Sequence, residues 1–182
     1  MIRTLGLIEL NSIAKGYEVA DAMLKVADVT LLKAHSICPG KFIVMVHGDI
    51  AAVKSSVETG VEIAGSYMVD KLVLPSLHAG IIPAITGTST VEVNDALGTL
   101  EYFNIASAII AADAAAKAAH ISLIEIRLGY AVGGKAFVTL TGDVSAVESA
   151  VSAGQEVGKN SGMLFGTSVI PRMHPELKAA IL

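Results

Sequence analysis

The 182-residue chain carries 13 Lys and Arg against 17 Asp and Glu, a mildly acidic balance without the Lys/Arg cluster of a nucleic-acid surface. Of its residues 53% are hydrophobic but only 4% aromatic, which suits packed helices and buried strands of Ala, Val, Ile and Leu. No uncharged apolar run approaches the roughly 18 residues of a membrane span, and MIRTLGLIEL lacks a secretory leader's apolar stretch, so a cytoplasmic chain is expected.

In chain order, residues 4–10 read as a short apolar strand. Residues 14–27 read as a helix, with Ala20, Met23, Leu24 and Ala27 on one face and Glu18, Asp21, Lys25 and Asp28 on another. Asp21 and Lys25 form an i,i+4 pair in the favourable order. Residues 29–34 and 42–47 read as two strands around the loop His35-Ser36-Ile37-Cys38-Pro39-Gly40, punctuated by Pro and Gly. Asp49 is the expected N-cap of a helix whose apolar face is Ile50, Val53, Val57, Val61 and Ala64. Residues 68–74 close the module as a strand stopped by Pro75.

The order then recurs. Leu5-Gly6-Leu7-Ile8-Glu9 returns as Leu97-Gly98-Thr99-Leu100-Glu101, and Ala20-Asp21-Ala22 with Lys25 as Ala112-Asp113-Ala114 with Lys117, an offset of about 92. The offset grows by two at Gly40-Lys41, which matches Gly134-Lys135. It grows by two more at Pro75-Ser76-Leu77-His78, which matches Pro171-Arg172-Met173-His174. Shifts confined to loops indicate duplication of a folded unit. The expected architecture is α+β: two tandem, unpermuted ferredoxin-like β-α-β-β-α-β modules, 1–85 and 96–182, joined by the polar linker 86–95. Such modules host unrelated activities, so the fold alone does not fix function.

Residues that carry chemistry are sparse, and no enzyme is expected. Gly133-Gly134-Lys135 lacks the spacing of a phosphate loop. His35 and His47 flank Cys38, a weak cue for a nucleophile and base, because catalytic partners meet in space. Glu9 and Glu101 recur through the duplication, which favours a structural hydrogen-bonding role at a sheet end. His78 and His174 are single imidazoles without a second ligand nearby in sequence. Cys38, the one cysteine, excludes an intrachain disulfide and any metal site needing several cysteines of one chain. A lone cysteine is more often a small hydrophobe than a ligand.

Gly6-Leu7-Ile8-Glu9, Gly16, Ala20-Asp21-Ala22-Met23-Leu24-Lys25 and Gly48-Asp49 resemble the bacterial microcompartment shell domain, and the resemblance covers nearly the whole chain, twice. The runs Ser36-Ile37-Cys38-Pro39-Gly40-Lys41-Phe42 and Ser168-Val169-Ile170-Pro171-Arg172 resemble its tandem-domain trimeric class, found in propanediol-utilisation compartments. This resemblance implies a homotrimer, six modules around one axis, that tiles with other shell proteins into a facet. It implies a central pore lined by Ser36, Ile37, Cys38, Pro39 and Gly40 and by the second-copy loop 130–134, with Gly133 and Gly134. It implies edge contacts through Lys25, Lys117 and Arg172, with Ser76 standing where the second copy has Arg172. It also implies one [4Fe–4S] cluster per trimer, held by three Cys38 thiolates and passing electrons across the shell to or from a redox protein. In that loop Pro39 biases Cys38 toward extended backbone, and Gly40 permits a sharp turn that leaves its own amide and that of Lys41 to face sulfides. Two other readings stay open. One is a shell protein with a metal-free metabolite pore; the other is a ferredoxin-like small-ligand regulatory module unrelated to shells.

Overall fold

The computed structural model describes residues 4–181. The first module runs β1 (Thr4–Leu10), α1 (Ile13–Val26), β2 (Val29–Ile37), β3 (Lys41–Gly48), α2 (Ile50–Ala64) and β4 (Met68–Pro75). A short helix, α3 (Ile81–Thr86), follows. The second module runs β5 (Ala96–Tyr102), α4 (Ile105–Ala118), β6 (Ile121–Leu128), β7 (Ala136–Gly142), α5 (Val144–Ser161) and β8 (Leu164–Ile170), and α6 (Pro175–Ile181) ends it. The chain divides into two compact units at residues 77 and 78, so α3 belongs with the second.

Each unit holds one four-stranded antiparallel sheet. The strand order is β2-β3-β1-β4 in the first and β6-β7-β5-β8 in the second, the arrangement expected of two unpermuted α+β modules. In the first unit Ile8 and Leu10 of β1 alternate with Phe42, Val44 and Val46 of β3 on one sheet face. They pack with Val19, Ala20 and Met23 of α1 and with Val53 and Val57 of α2.

Local signals account for the element ends. Ser12 caps α1, its hydroxyl accepting from the Lys15 amide at 3.3 Å. The buried stripe of α1 is Gly16, Val19, Ala20 and Met23. Leu24, expected on that face, lies at its margin and is exposed, and Ala27 falls beyond the last turn. Asp49 occupies the N-cap position of α2 with extended backbone, but its side chain makes no capping bond. The strand β2 is longer than the sequence suggested. Pairing of His35, Ser36 and Ile37 with Ile43, Phe42 and Lys41 carries it to Ile37, so only Cys38, Pro39 and Gly40 remain between the strands.

Candidate functional site

The β2–β3 hairpin puts Cys38 at its tip. The Gly40 amide donates to the Ile37 carbonyl at 3.0 Å and closes the turn, and the Gly40 φ of +82° is one that a Cβ would oppose. That amide, expected to face a ligand, is therefore engaged by the turn itself. Ser36 and Ile37, expected in the loop, are the last two residues of β2, and Ile37 is buried. The peptide between Cys38 and Pro39 is cis. Cys38 is partly exposed, and a Cβ at Gly40 would meet nothing within 4 Å, so the tip is open.

The second unit has a wider turn between β6 and β7. The Gly129 amide donates to the Lys135 carbonyl at 3.0 Å, and the Lys135 amide to the Val132 carbonyl at 3.3 Å. Gly133 and Gly134 lie inside that turn, with positive φ and no side chain to fill it.

Each loop is fixed at its root by a lysine one residue after its last glycine. Lys41 pairs with Glu9 on the neighbouring strand β1, and Lys135 pairs with Glu101 on β5 in the same way. Glu9 is fully buried, so the ammonium offsets part of the cost of burying its charge, while its Oε2 has no hydrogen-bond partner. Lys135 also lies 3.9 Å from the centroid of the Phe165 ring, a cation–π contact. The recurrent glutamates thus anchor the loops.

The two histidines flanking Cys38 in sequence do not join it in one group. His47 pairs with Thr30, at the far end of the hairpin from the tip. His35 lies nearer, on β2, and burial, then the Lys33 charge, hold its pKa below the usual value of 6.5. Its ring is therefore neutral at pH 7. Among the described residues, no group of three or more His, Cys, Asp or Glu side chains gathers within the chain as a metal site.

The expected edge residues occupy unlike settings. The Lys25 ammonium bonds Asp21 at 2.6 Å, and both side chains are exposed. The equivalent Lys117 bonds Asp113 at 2.5 Å, but Asp113 is buried. The other Asp113 oxygen accepts the His78 amide at 2.8 Å, a contact no sequence cue announced. Arg172 is exposed just after β8, beside a 380 Å³ cleft that also borders Asp95, Asp143 and Lys178.

The site thus consists of two duplicated sheets, a glutamate–lysine pair at the root of each turn, and one open cysteine turn. The family model described as the BMC domain matches residues 4–77 and again 96–173. The bacterial microcompartment shell protein PduT of Citrobacter freundii is 44% identical over 177 residues, covering 97% of this chain and 96% of that one. The carboxysome assembly protein CcmO of Synechocystis sp. is 30% identical, covering 96% of this chain and 63% of its own length. A crystal structure of a microcompartment protein from Desulfitobacterium hafniense superposes with a TM-score of 0.93 at 49% identity, covering 98% of this chain and 99% of that one. The chain belongs to the bacterial microcompartment shell proteins, and it is a tandem-domain structural component of the shell, not an enzyme. Among the described residues no helix is long and apolar enough to cross a membrane.

Proposed function

We propose that this shell protein forms a homotrimer whose three β2–β3 tips meet on the threefold axis, where three Cys38 thiolates hold one [4Fe–4S] cluster. The observation that carries the reading is the partly exposed Cys38 on an open tip whose root Lys41 and Glu9 fix. The donor set fits. One thiolate per chain is too few for a cluster, threefold symmetry supplies three, and water or an outside ligand completes the fourth iron. The second-copy loop, with Gly133 and Gly134, brings no cysteine, and its one large side chain is the exposed Tyr130. When bound, such a cluster supplies one-electron transfer. The chain's own part is to hold three soft donors at one point and to close the axis to metabolites, with a redox protein as electron partner. Lys25, Lys117 and Arg172 serve in this reading as edge contacts to other shell proteins, consistent with the similarity to PduT.

The test is iron content and electron paramagnetic resonance of anaerobically reconstituted protein, wild type against Cys38→Ser. The expected result is about four irons per trimer in wild type and none in the variant. Equal iron in both ends the reading and leaves a metal-free pore.

A further inference from the structure

The two turns differ in how firmly their roots are held. In the first unit the β1–β3 ladder ends at Leu10 and Phe42. The backbone pairing beyond it is the hairpin's own, Ile37 with Lys41 and the Gly40 amide on the Ile37 carbonyl. Two neighbouring side chains hold the root past that end. Phe42 enters the core on the helix-covered face of the sheet, where it is fully buried, and Lys41 points to the opposite face and bonds Glu9 of β1. The root of the Cys38 turn is thus clamped from both faces.

The strength of the clamp lies in its burial. The Glu9 side chain is 0% exposed and that of Lys41 19%, so salt screens the pair little and parting it would strand a buried charge. Glu9 Oε2 has no hydrogen-bond partner among the described residues, which leaves the Lys41 ammonium to answer the carboxylate. In the second unit the same pair is within reach of solvent, with the Lys135 side chain 32% and the Glu101 side chain 34% exposed. Lys135 also divides itself between Glu101 and the Phe165 ring. Ala136 stands there in place of Phe42, and the turn from Gly129 to Lys135 is longer. The stiff root belongs to the unit that carries the cysteine.

We propose that Lys41 and Glu9 are positioning residues for Cys38, fixing the place and direction of its thiolate so that three tips reach one point at one spacing. The inference rests on the cluster reading and goes beyond it, since it assigns ligand placement to residues that are not ligands. A site with three protein thiolates has no spare donor, so one tip out of place leaves a second iron without its sulfur. Outer residues that orient metal ligands govern affinity by about 10–100-fold. Lys135 and Glu101 shape a turn that carries no cysteine, and they are expendable for this purpose.

The test compares wild type with the double variant Glu9→Met, Lys41→Met, in which both charges go together and neither is left buried alone. With trimer mass and circular dichroism unchanged, the anaerobically reconstituted variant should lose iron to a chelator about tenfold faster or more, with broadened electron paramagnetic resonance lines. Lys41→Arg, whose fork can take both oxygens of Glu9, should keep the wild-type rate and spectrum, and so should Glu101→Met, Lys135→Met. Glu9→Gln keeps the shape and removes the charge; it should move both readings in the direction of the double variant, and it decides the question where that variant does not assemble. Iron loss unchanged in the first double variant, or raised equally in both, overturns the proposal. Lys41→Arg losing iron as fast as the double variant overturns it too. Wild type that takes up no iron ends the cluster reading instead. Alkylation of Cys38 in the metal-free protein then reads the positioning: it should run severalfold faster in Glu9→Met, Lys41→Met, and an unchanged rate overturns the proposal.

Discussion

Phe42→Ala should cost about 3–5 kcal/mol, and Gly16→Ala, a change that normally favours a helix, should cost about 1–3 kcal/mol. Gly16 lies in the buried stripe of α1, and a Cβ there would overlap the Phe42 ring and its Cβ. The overlap reaches the anchored end of a fully buried side chain, so a rotation of the ring does not relieve it. Tyr17 packs against the same ring in a tilted arrangement, centroids 4.8 Å apart, and holds it from the outside. With Phe42 removed, the methyl of Gly16→Ala enters the space left behind, and its helix propensity is no longer opposed. The double variant should therefore be more stable than Phe42→Ala alone. Urea denaturation at one fixed protein concentration reads the cycle. If Gly16→Ala costs the same in both backgrounds, the close approach to Phe42 is not its cause. The second unit has already made both changes, with Ala108 and Ala136 at the matching positions. There the large ring moves one strand over, to Tyr102, buried with its hydroxyl donating to the Gly154 carbonyl at 2.7 Å.

The combined variant Lys25→Ala, Arg172→Ala should keep the trimer's mass and lose extended sheets. Folding has little stake in either side chain. The exposed Lys25–Asp21 pair is of the i,i+4 kind that contributes about 0.3–0.5 kcal/mol. An edge has more to lose, since a lysine stem covers a neighbour's apolar surface and an arginine fork satisfies several acceptors at once. Small losses are then multiplied along every repeated edge. Lys117 is left out because its removal strands the buried Asp113 and confuses tiling with stability. Electron micrographs with unchanged sheets would remove Lys25 and Arg172 from the edge.

The module order was legible because both copies keep their apolar periods and their loop glycines. Matching Gly40 with Gly134 and Pro75 with Pro171 carried the order of elements over from the first copy to the second. The two short helices were not legible. Six residues, 81–86, with Pro83 inside and no side-chain cap at Gly80, fall below what local propensity can nucleate, and α3 exists through its packing on β6. The extent of β2 was hidden for a related reason. His35 and Ser36 have no strand signal of their own, and pairing with β3 extends the strand. Cys38 stood out by being alone, and its place at a tip followed from Pro39 and Gly40. The roles of Lys41 and Asp113 depend on partners 32 and 35 residues away, beyond the reach of any local pattern.

The tether between β4 and α3 gives the chain a polarity. The seat on α4 and β6 is filled by a segment of its own chain, at an effective concentration that dilution cannot alter. The Asp113 carboxylate and Leu123 are thereby covered at every protein concentration, whereas their counterparts Asp21 and Leu31 on the first module stay exposed in the chain.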